Sequence, residues 1–134
     1  MDTHSSDKRH SHYGSYYNNE RYRKGEMSME RYITRGIANY LPAMLQQQLW
    51  KLVAQRENEQ FKELEEIDYF HIFQFNMHNS QLYIKHKQEL PEYVKIHKAN
   101  YSKAININKV YIIREDDVDL SYYVMLLPEE YYRK

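Results

Sequence analysis

Four histidines in the second half of the chain are the residues whose type most readily suggests chemistry: His71, His78, His86 and His97. Histidine is the commonest metal-ligating side chain and the usual proton donor or acceptor near neutral pH. The spacing contains neither His-x-His nor His-Glu-x-x-His, the patterns that bring two ring nitrogens to one metal ion. His71 and His86 belong to one expected hairpin, but its register, which decides whether they share a face, stays open. We predict no metal site.

A second set of candidate residues combines His86 and Glu89 with Arg35. His86 and Glu89 could form an acid–base pair, and Arg35 could hold an anion. A matched nucleophile, a glycine-rich phosphate loop and a pair of carboxylates that would complete a mechanism are missing. The segment His86–Glu89, which includes Gln88, is better interpreted as a salt-bridging structural motif. The sequence therefore predicts a protein that is not an enzyme and that carries no cofactor.

Length and composition limit the class of protein. The chain of 134 residues fits one domain and contains no cysteine, which excludes disulfides and favours a cytoplasmic location. Charged residues and histidines fill the N-terminus where a signal peptide needs an apolar run, and no stretch of about 18 apolar residues could span a membrane. Basic and acidic residues number 19 each, unlike the strong basic excess of dedicated nucleic-acid-binding proteins. We expect a cytoplasmic protein without a membrane partner.

Residues 1–28 differ in composition from the rest of the chain. Apart from two methionines they carry no aliphatic side chain, so they cannot bury enough apolar area to offset the entropy of ordering. We interpret them as a flexible arm before a single domain, residues 29–134. Tyrosines interleave with basic residues there, and such side chains can stack on bases or contact a protein surface. The predicted contact residues of the arm are Arg9, Tyr13, Tyr16, Tyr17, Arg21, Tyr22, Arg23 and Lys24.

An apolar stripe predicts a helix that starts near Pro42, since proline is tolerated in a first helical turn. The members of the stripe recur at helical spacing. They are Leu41, Leu45, Leu49, Leu52 and Val53. Trp50 lies beside the stripe and is expected to pack the helix against a sheet. The charged run that follows keeps a helical face, so the helix either continues or restarts after Asn58.

The apolar period then changes from 3.6 to 2, which predicts strands. Residues 67–77 alternate with apolar side chains on both sides, which is typical of a central strand. A polar turn joins them to a second strand that ends at Pro91, and residues 92–105 are expected to form an irregular crossover. The runs Lys109–Arg114 and Tyr122–Leu127 predict two more strands. The expected fold is α+β, with one or two helices packed on one face of a small, mainly antiparallel sheet of about four strands.

The segment between the last two expected strands concentrates carboxylates in a predicted loop: Glu115, Asp116, Asp117 and Asp119. Their order lacks the Asp-x-Asp-x-Asp-Gly pattern of a calcium-binding loop. A clustered acidic surface can instead meet a basic groove of a partner. A hydrated hairpin loop is the alternative interpretation.

Five short motifs, in the right order, resemble the family called domain of unknown function 960. They are Arg31–Ile37 (RYITRGI), Leu45-Gln46 with Leu49-Trp50, Ile67–Phe73 (IDYFHIF), His86–Glu89 with Pro91 and Tyr93, and Met125–Tyr131 (MLLPEEY). The resemblance covers about residues 31–131. The arm and the longer acidic segment 114–124 depart from the family pattern. The family has no assigned reaction. It looks like one that is carried by Gram-positive bacteria and their phages or mobile elements. The resemblance therefore implies a biological context and no particular chemistry.

Fifteen tyrosines favour an interaction protein, because tyrosine provides a large contact area at a low entropic cost. We expect a non-enzymatic protein that binds a larger protein or nucleoprotein through its arm and its acidic loop. The mobile-element context suggests, by analogy, an inhibitor of a host defence complex of the anti-CRISPR type. The alternative is an accessory nucleic-acid-binding protein that uses the tyrosine–arginine arm. The sequence leaves the oligomeric state open.

Overall fold

The computed structural model describes the backbone of residues 16–24, 27–63 and 67–131 and the side chains of residues 29–62 and 67–131. Seven strands and three helices follow one another in this part of the chain. In order they are β1 (Tyr16–Lys24), β2 (Met27–Thr34), α1 (Arg35–Tyr40), α2 (Ala43–Glu63), β3 (Phe70–His78), β4 (Gln81–Glu89), β5 (Glu92–Lys98), β6 (Lys109–Asp116), β7 (Ser121–Leu126) and α3 (Pro128–Tyr131). None of the described helices is long and apolar enough to cross a membrane.

The strands form one mixed sheet in the order β1-β2-β7-β6-β3-β4-β5. β2 and β7 run parallel, whereas every other pair of neighbouring strands is antiparallel. The α+β class is therefore confirmed. The expectation of about four strands is wrong, because the described residues contribute seven.

The sequence pattern does not predict β1, β2 or β5. No residue of β1 is aliphatic, and the strand is held to β2 by main-chain hydrogen bonds that need no apolar side chain. β5 lies at the edge of the sheet and pairs with β4 along its whole length. Most of its side chains are exposed, so the contrast between a buried and a solvated face is lost. The segment 92–105 therefore begins with a regular strand and is not wholly an irregular crossover.

Part of the expected arm lies in the sheet. Six of its predicted contact residues belong to β1: Tyr16, Tyr17, Arg21, Tyr22, Arg23 and Lys24. Their side chains lie outside the described part of the chain, as do Arg9 and Tyr13 entirely. The flexibility of the arm and its contacts with a partner stay predictions.

α2 covers one face of the sheet. Its stripe of Leu45, Leu49, Leu52 and Val53 is buried, and the helix is continuous through Asn58 to its end at Glu63. Leu41, the first residue of the expected stripe, is also buried but lies at the end of α1. Trp50 is 1% exposed and meets the ring of Tyr123 edge-on, with centroids 6.5 Å apart. The prediction that Trp50 packs the helix onto the sheet is confirmed.

The carboxylate of Glu130, in α3, holds the start of α1. The hydroxyl of Thr34, the N-cap residue of α1, donates to Glu130, and so do the main-chain N–H groups of Gly36 and Leu127, each at 2.9 Å. A Cβ atom at Gly36 would lie 2.6 Å from Leu127 Cδ1 and 2.7 Å from Glu130 Oε2. A larger residue at position 36 would therefore displace the side chains of Leu127 and Glu130, and glycine permits the close approach of α1 to the C-terminal segment.

The two faces of the sheet bury different clusters. The larger cluster lies under α1 and α2 and includes Phe73, Ile84, Ile112 and Met125. The smaller lies on the opposite face and includes Tyr111, Ile113, Val124 and Leu126, with Phe70, Ile72 and Tyr131 packed against it. No residue of α1 or α2 belongs to the smaller cluster. Neither α1 nor α2 therefore covers this second face, of which β6, β3, β4 and β5 form one part.

Candidate functional site

A chain of four buried polar side chains ties α2 to the sheet. The Tyr123 hydroxyl donates to Glu57 Oε1, and Glu57 Oε2 lies 3.1 Å from Nε2 of His71. Nδ1 of His71 lies 2.9 Å from Nε2 of His86. Glu57 and His71 have no exposed surface, and Tyr123 and His86 are 1% exposed. Because the four residues come from β7, α2, β3 and β4, the chain fixes four elements relative to one another.

His86 is the neutral member of this chain. Burial lowers its pKa from 6.5 to about 2, assisted by the neighbouring His71, His97, Arg56 and Lys95. Its ring stacks on Phe73, with centroids 4.4 Å apart. A neutral imidazole has one donor and one acceptor nitrogen, so one hydrogen bond joins His86 to His71.

The strand register, which the sequence left open, places both histidines on the α2 face of the sheet.

The burial of this chain limits its chemistry. A general acid or base has to come within hydrogen-bonding distance of a substrate, and these four side chains have almost no contact with solvent. A buried polar group is costly to leave without its partner. We therefore assign the chain to positioning α2. Among the described residues no group of three or more His, Asp or Glu side chains is arranged to hold a metal ion.

A second group of polar contacts surrounds Gln88. Its Oε1 accepts from Arg56 Nε at 2.7 Å, and its Nε2 donates to the main-chain oxygen of Asp68 at 2.6 Å. The carboxylate of Asp68 in turn accepts from the main-chain N–H of Leu90 at 3.1 Å. The Arg56 guanidinium lies 3.7 Å above the ring of Tyr93. Gln88 is therefore a structural residue that joins α2 to the segments before β3 and after β4.

Arg35, His86 and Glu89 do not converge. His86 is buried on the α2 face, whereas Glu89, an odd number of residues away on the same strand, is exposed and points to the opposite face. Arg35 is exposed at the start of α1, directly after β2. Three strands separate β2 from β4, which is about 19 Å at the usual strand spacing. The structure thus brings none of the three into a common site.

Fewer residues of the acidic segment lie in a loop than the sequence predicts. Glu115 and Asp116 belong to β6, because they pair with Tyr122 and Ser121 of β7. A hydrogen bond from Ser121, together with the neighbouring Arg114, lowers the pKa of Asp116. These bonds already engage Asp116 within the fold. The loop proper retains Asp117 and Asp119, both exposed, and their contact with a partner stays a prediction.

The face of the sheet opposite α2 is the other candidate. Tyr131 packs on its β6 and β3 part, where Tyr111 and Ile113 are buried, whereas β5 is largely exposed. We call this face the open face, and we define it from the strand pairings as every second residue of β6, β3, β4 and β5. Its residues are Lys109, Tyr111, Ile113 and Glu115 of β6, Phe70, Ile72, Gln74, Asn76 and His78 of β3, Gln81, Tyr83, Lys85, Lys87 and Glu89 of β4, and Glu92, Val94, Ile96 and Lys98 of β5. Alternation along each strand places these side chains away from α2.

Charges are segregated along the open face. Its lysine half carries four lysines: Lys85, Lys87, Lys98 and Lys109. Its carboxylate half carries Glu89 and Glu92, which lie opposite each other on β4 and β5, and Glu115 at the same end of β6. Lys87 lies between Ile72 and Val94 in the row where the two halves meet. The open face therefore has one basic end and one acidic end.

Two exposed apolar side chains lie next to this charge boundary. Val94 is 52% exposed and Ile96 is 60% exposed. They occupy successive open-face positions of β5, beside Lys87 and Lys85. Burial of such side chains against a partner contributes a favourable free energy of association. In the free protein they stay in water and do not stabilise the fold. The pair marks β5 as the part of the open face most suited to contact.

A pocket of about 340 Å³ opens at the carboxylate end. Three of its lining rings, Phe70, Tyr111 and Tyr131, pack edge-to-face with centroids 5.1 to 5.8 Å apart. Asp68 and Glu89 also line it, and none of the described residues that line it is basic. Aromatic rings and carboxylates both attract cations. The pocket suits a basic side chain of a bound partner.

The comparison with known proteins identifies the family. A family model described as a Staphylococcal protein of unknown function (DUF960) matches residues 30–130. The chain belongs to this family. A search of curated proteins gives no significant match. Among solved structures, a protein of unknown function from Enterococcus faecalis aligns with a TM-score of 0.58 and 19% identity over 75% of this chain and 88% of that chain. At this identity the likeness shows the fold alone.

The DUF960 motif residues that the structure describes lie mainly in the scaffold. Thr34 and Gly36, from the first motif, meet Glu130, from the last. His71 contacts His86, from two other motifs. Each of these contacts joins separate elements through buried or half-buried polar groups. These contacts assign Thr34, Gly36, His71 and His86 to the scaffold, whereas Lys87 and Glu89 of the same motifs point to the opposite face of the sheet.

Proposed function

We propose that this DUF960 protein is a non-enzymatic interaction protein that binds a larger protein or nucleoprotein through its open face. The exposure of Val94 and Ile96 on the edge strand β5 is the observation that supports the proposal most directly. The lysine half and the carboxylate half place charged residues beside this apolar pair, a combination that is usual for protein interfaces.

The charges indicate the chemistry of the partner surface. It presents acidic groups to Lys85 and Lys87, an apolar patch to Val94 and Ile96, and a basic side chain to the pocket beside Glu89. Complementary charge accelerates association and selects the orientation of the bound partner. The mobile-element context of the family motivates the narrower proposal that the partner is a bacterial defence complex.

The double variant V94D/I96D is expected to lose partner binding without loss of folding. Both side chains are exposed, so their replacement leaves the core unchanged, while two buried carboxylates in the interface would be unfavourable. The test is affinity capture from the bacterium that encodes the protein, followed by mass spectrometry. Q47D/Q55D, on the exposed side of α2, is the matched control. The proposal requires a protein that the wild type and the control retain and that V94D/I96D loses; equal retention by all three contradicts it.

Nucleic-acid binding is the second candidate function. The lysine half places Tyr83 beside Lys98 and next to Lys85 along β4, and a ring among basic side chains can stack on an unpaired base. Anisotropy of labelled single- and double-stranded DNA and RNA in a salt series tests it, since phosphate contacts weaken steeply with salt. No salt-sensitive binding at about 50 mM salt would exclude this function. Alanine substitution of the four basic residues among the predicted contacts of the arm, Arg9, Arg21, Arg23 and Lys24, separates its contribution from that of the lysine half without removing β1.

A further inference from the structure

The segregation of charge on the open face follows the direction of the strands. On β4, the open-face residues Lys85 and Lys87 come before Glu89 in the direction of the chain. On β5, which runs the other way, Lys98 comes last and Glu92 comes first. Both strands therefore have their basic residues at one end of the face and their acidic residues at the other. The apolar pair Val94 and Ile96 lies on the same face, beginning at the row of Lys87.

A surface of this kind is complementary to itself. When two copies face each other about a twofold axis that lies in the interface and crosses the strands, each end of one copy meets the opposite end of the other. The lysine half of each copy then lies over the carboxylate half of its partner. An axis between the row of Lys87 and the row of Glu89 places these two residues opposite each other across the interface, twice by symmetry.

We infer that the open face pairs this chain with a second copy of itself in a face-to-face twofold dimer. The dimer covers Val94 and directs Lys85 of each copy towards the pocket that Asp68 and Glu89 line in the other. The inference goes beyond the proposed function, because it assigns an occupant to the open face in the absence of any other partner. A larger partner that uses the same face has to displace the second copy.

The size of the open face sets the strength of this dimer. The axis lies near the end of β4, so the two copies overlap over about six residues of strand length, and four strands at the usual spacing give roughly 20 by 20 Å, or about 800 Å² for the two copies together. That area is below the range of stable specific protein interfaces. We therefore expect a weak dimer, with a dissociation constant on the order of 100 micromolar or above that rises with salt, because the charged contacts are near the surface and are screened.

Paired charge-reversal variants test the inference. K85E/K87E replaces the two lysines of β4 with carboxylates, and E89K/E92K replaces the two glutamates of β4 and β5 with lysines. Each variant alone is expected to weaken the dimer by about tenfold or more, because every altered contact occurs twice in a twofold interface. An equimolar mixture of the two is expected to associate again as a heterodimer, since the substituted positions of one variant carry charges opposite to those that they face in the other. Sedimentation velocity over a range of concentrations, at low and high salt, measures all three.

K51E/K62E is the matched control, because it makes the same change of charge at two exposed positions of α2. It should dimerise like the wild type. Circular dichroism checks that each variant is folded, and the salt dependence of the wild-type dimer provides a test without any substitution. A wild type that is monomeric at high concentration, a dimer that neither variant weakens, or a mixture that does not associate would each overturn the inference. A monomeric wild type that still binds a larger partner through Val94 and Ile96 would overturn the dimer and leave the proposed function intact.

Discussion

Replacing Glu57 with alanine is expected to destabilise the protein by about 3–5 kcal/mol, the usual cost of removing one partner from a buried polar pair. Glu57 accepts from the Tyr123 hydroxyl and contacts His71 Nε2. All three side chains are at most 1% exposed, so water cannot replace the lost carboxylate. The change removes the carboxylate that the Tyr123 hydroxyl and the His71 imidazole both contact in the protein interior.

Urea unfolding of two control variants separates this effect from a general effect of altering α2. E57Q keeps the shape of the side chain and one acceptor oxygen, so we expect a smaller loss of about 1–3 kcal/mol. E59A removes a carboxylate that is 45% exposed and pairs with Arg56 at the surface, so we expect a loss of about 0.5 kcal/mol. If E57A destabilises the protein no more than E59A, the buried chain does not hold α2 on the sheet.

Stability is expected to fall as the pH decreases from 6.5, and His86 is the main reason. Its pKa is about 2 in the folded protein and 6.5 in the unfolded chain, so between these values the unfolded chain binds one proton more. The free energy of unfolding then rises with pH and is lost on acidification. Between pH 6.5 and pH 5 the loss from one such group is about 2 kcal/mol. Burial lowers the pKa of His97 as well, which adds to the loss in the same direction.

The variant H86F isolates the contribution of His86. A phenylalanine ring retains the stack on Phe73 but does not titrate, although it removes the partner of Nδ1 of His71 and lowers stability at every pH. The informative quantity is therefore the slope of the unfolding free energy against pH, measured by urea unfolding at several pH values. The slope between pH 5 and pH 6.5 should become smaller in H86F. An unchanged slope would show that His86 does not control acid sensitivity.

The sequence predicts elements whose stability is local and apolar. α2 is predictable because Leu45, Leu49, Leu52 and Val53 repeat at helical spacing and all are buried. β3 and β4 are predictable because their burial alternates with a period of two. β1 and β5 lack such a pattern, since main-chain pairing to a neighbouring strand defines them. The parallel pairing of β2 with β7 joins residues about 90 positions apart, and no local pattern encodes it.

The candidate surface could not be predicted because it depends on strand order. Lys109, Gln74 and Lys85 lie in one row across β6, β3 and β4, although they are distant in the chain. The register also decides that His71 meets His86 and that Glu89 points away from both. The alternation of Val94 and Ile96 with Lys95 and His97 is the one local signal in β5. It is weak, because both sides of this edge strand are largely exposed.

Site-specific photo-crosslinking tests the central claim, that the open face is the surface of contact, most directly. A benzophenone amino acid is placed at Val94, on the open face, or at Gln55, exposed on α2, and cells that naturally encode the protein are irradiated. We predict a discrete adduct from position 94 that is absent from position 55. Its mass distinguishes a larger partner from a second copy of the chain. Adducts that form equally from both positions, or from position 55 alone, would contradict the account.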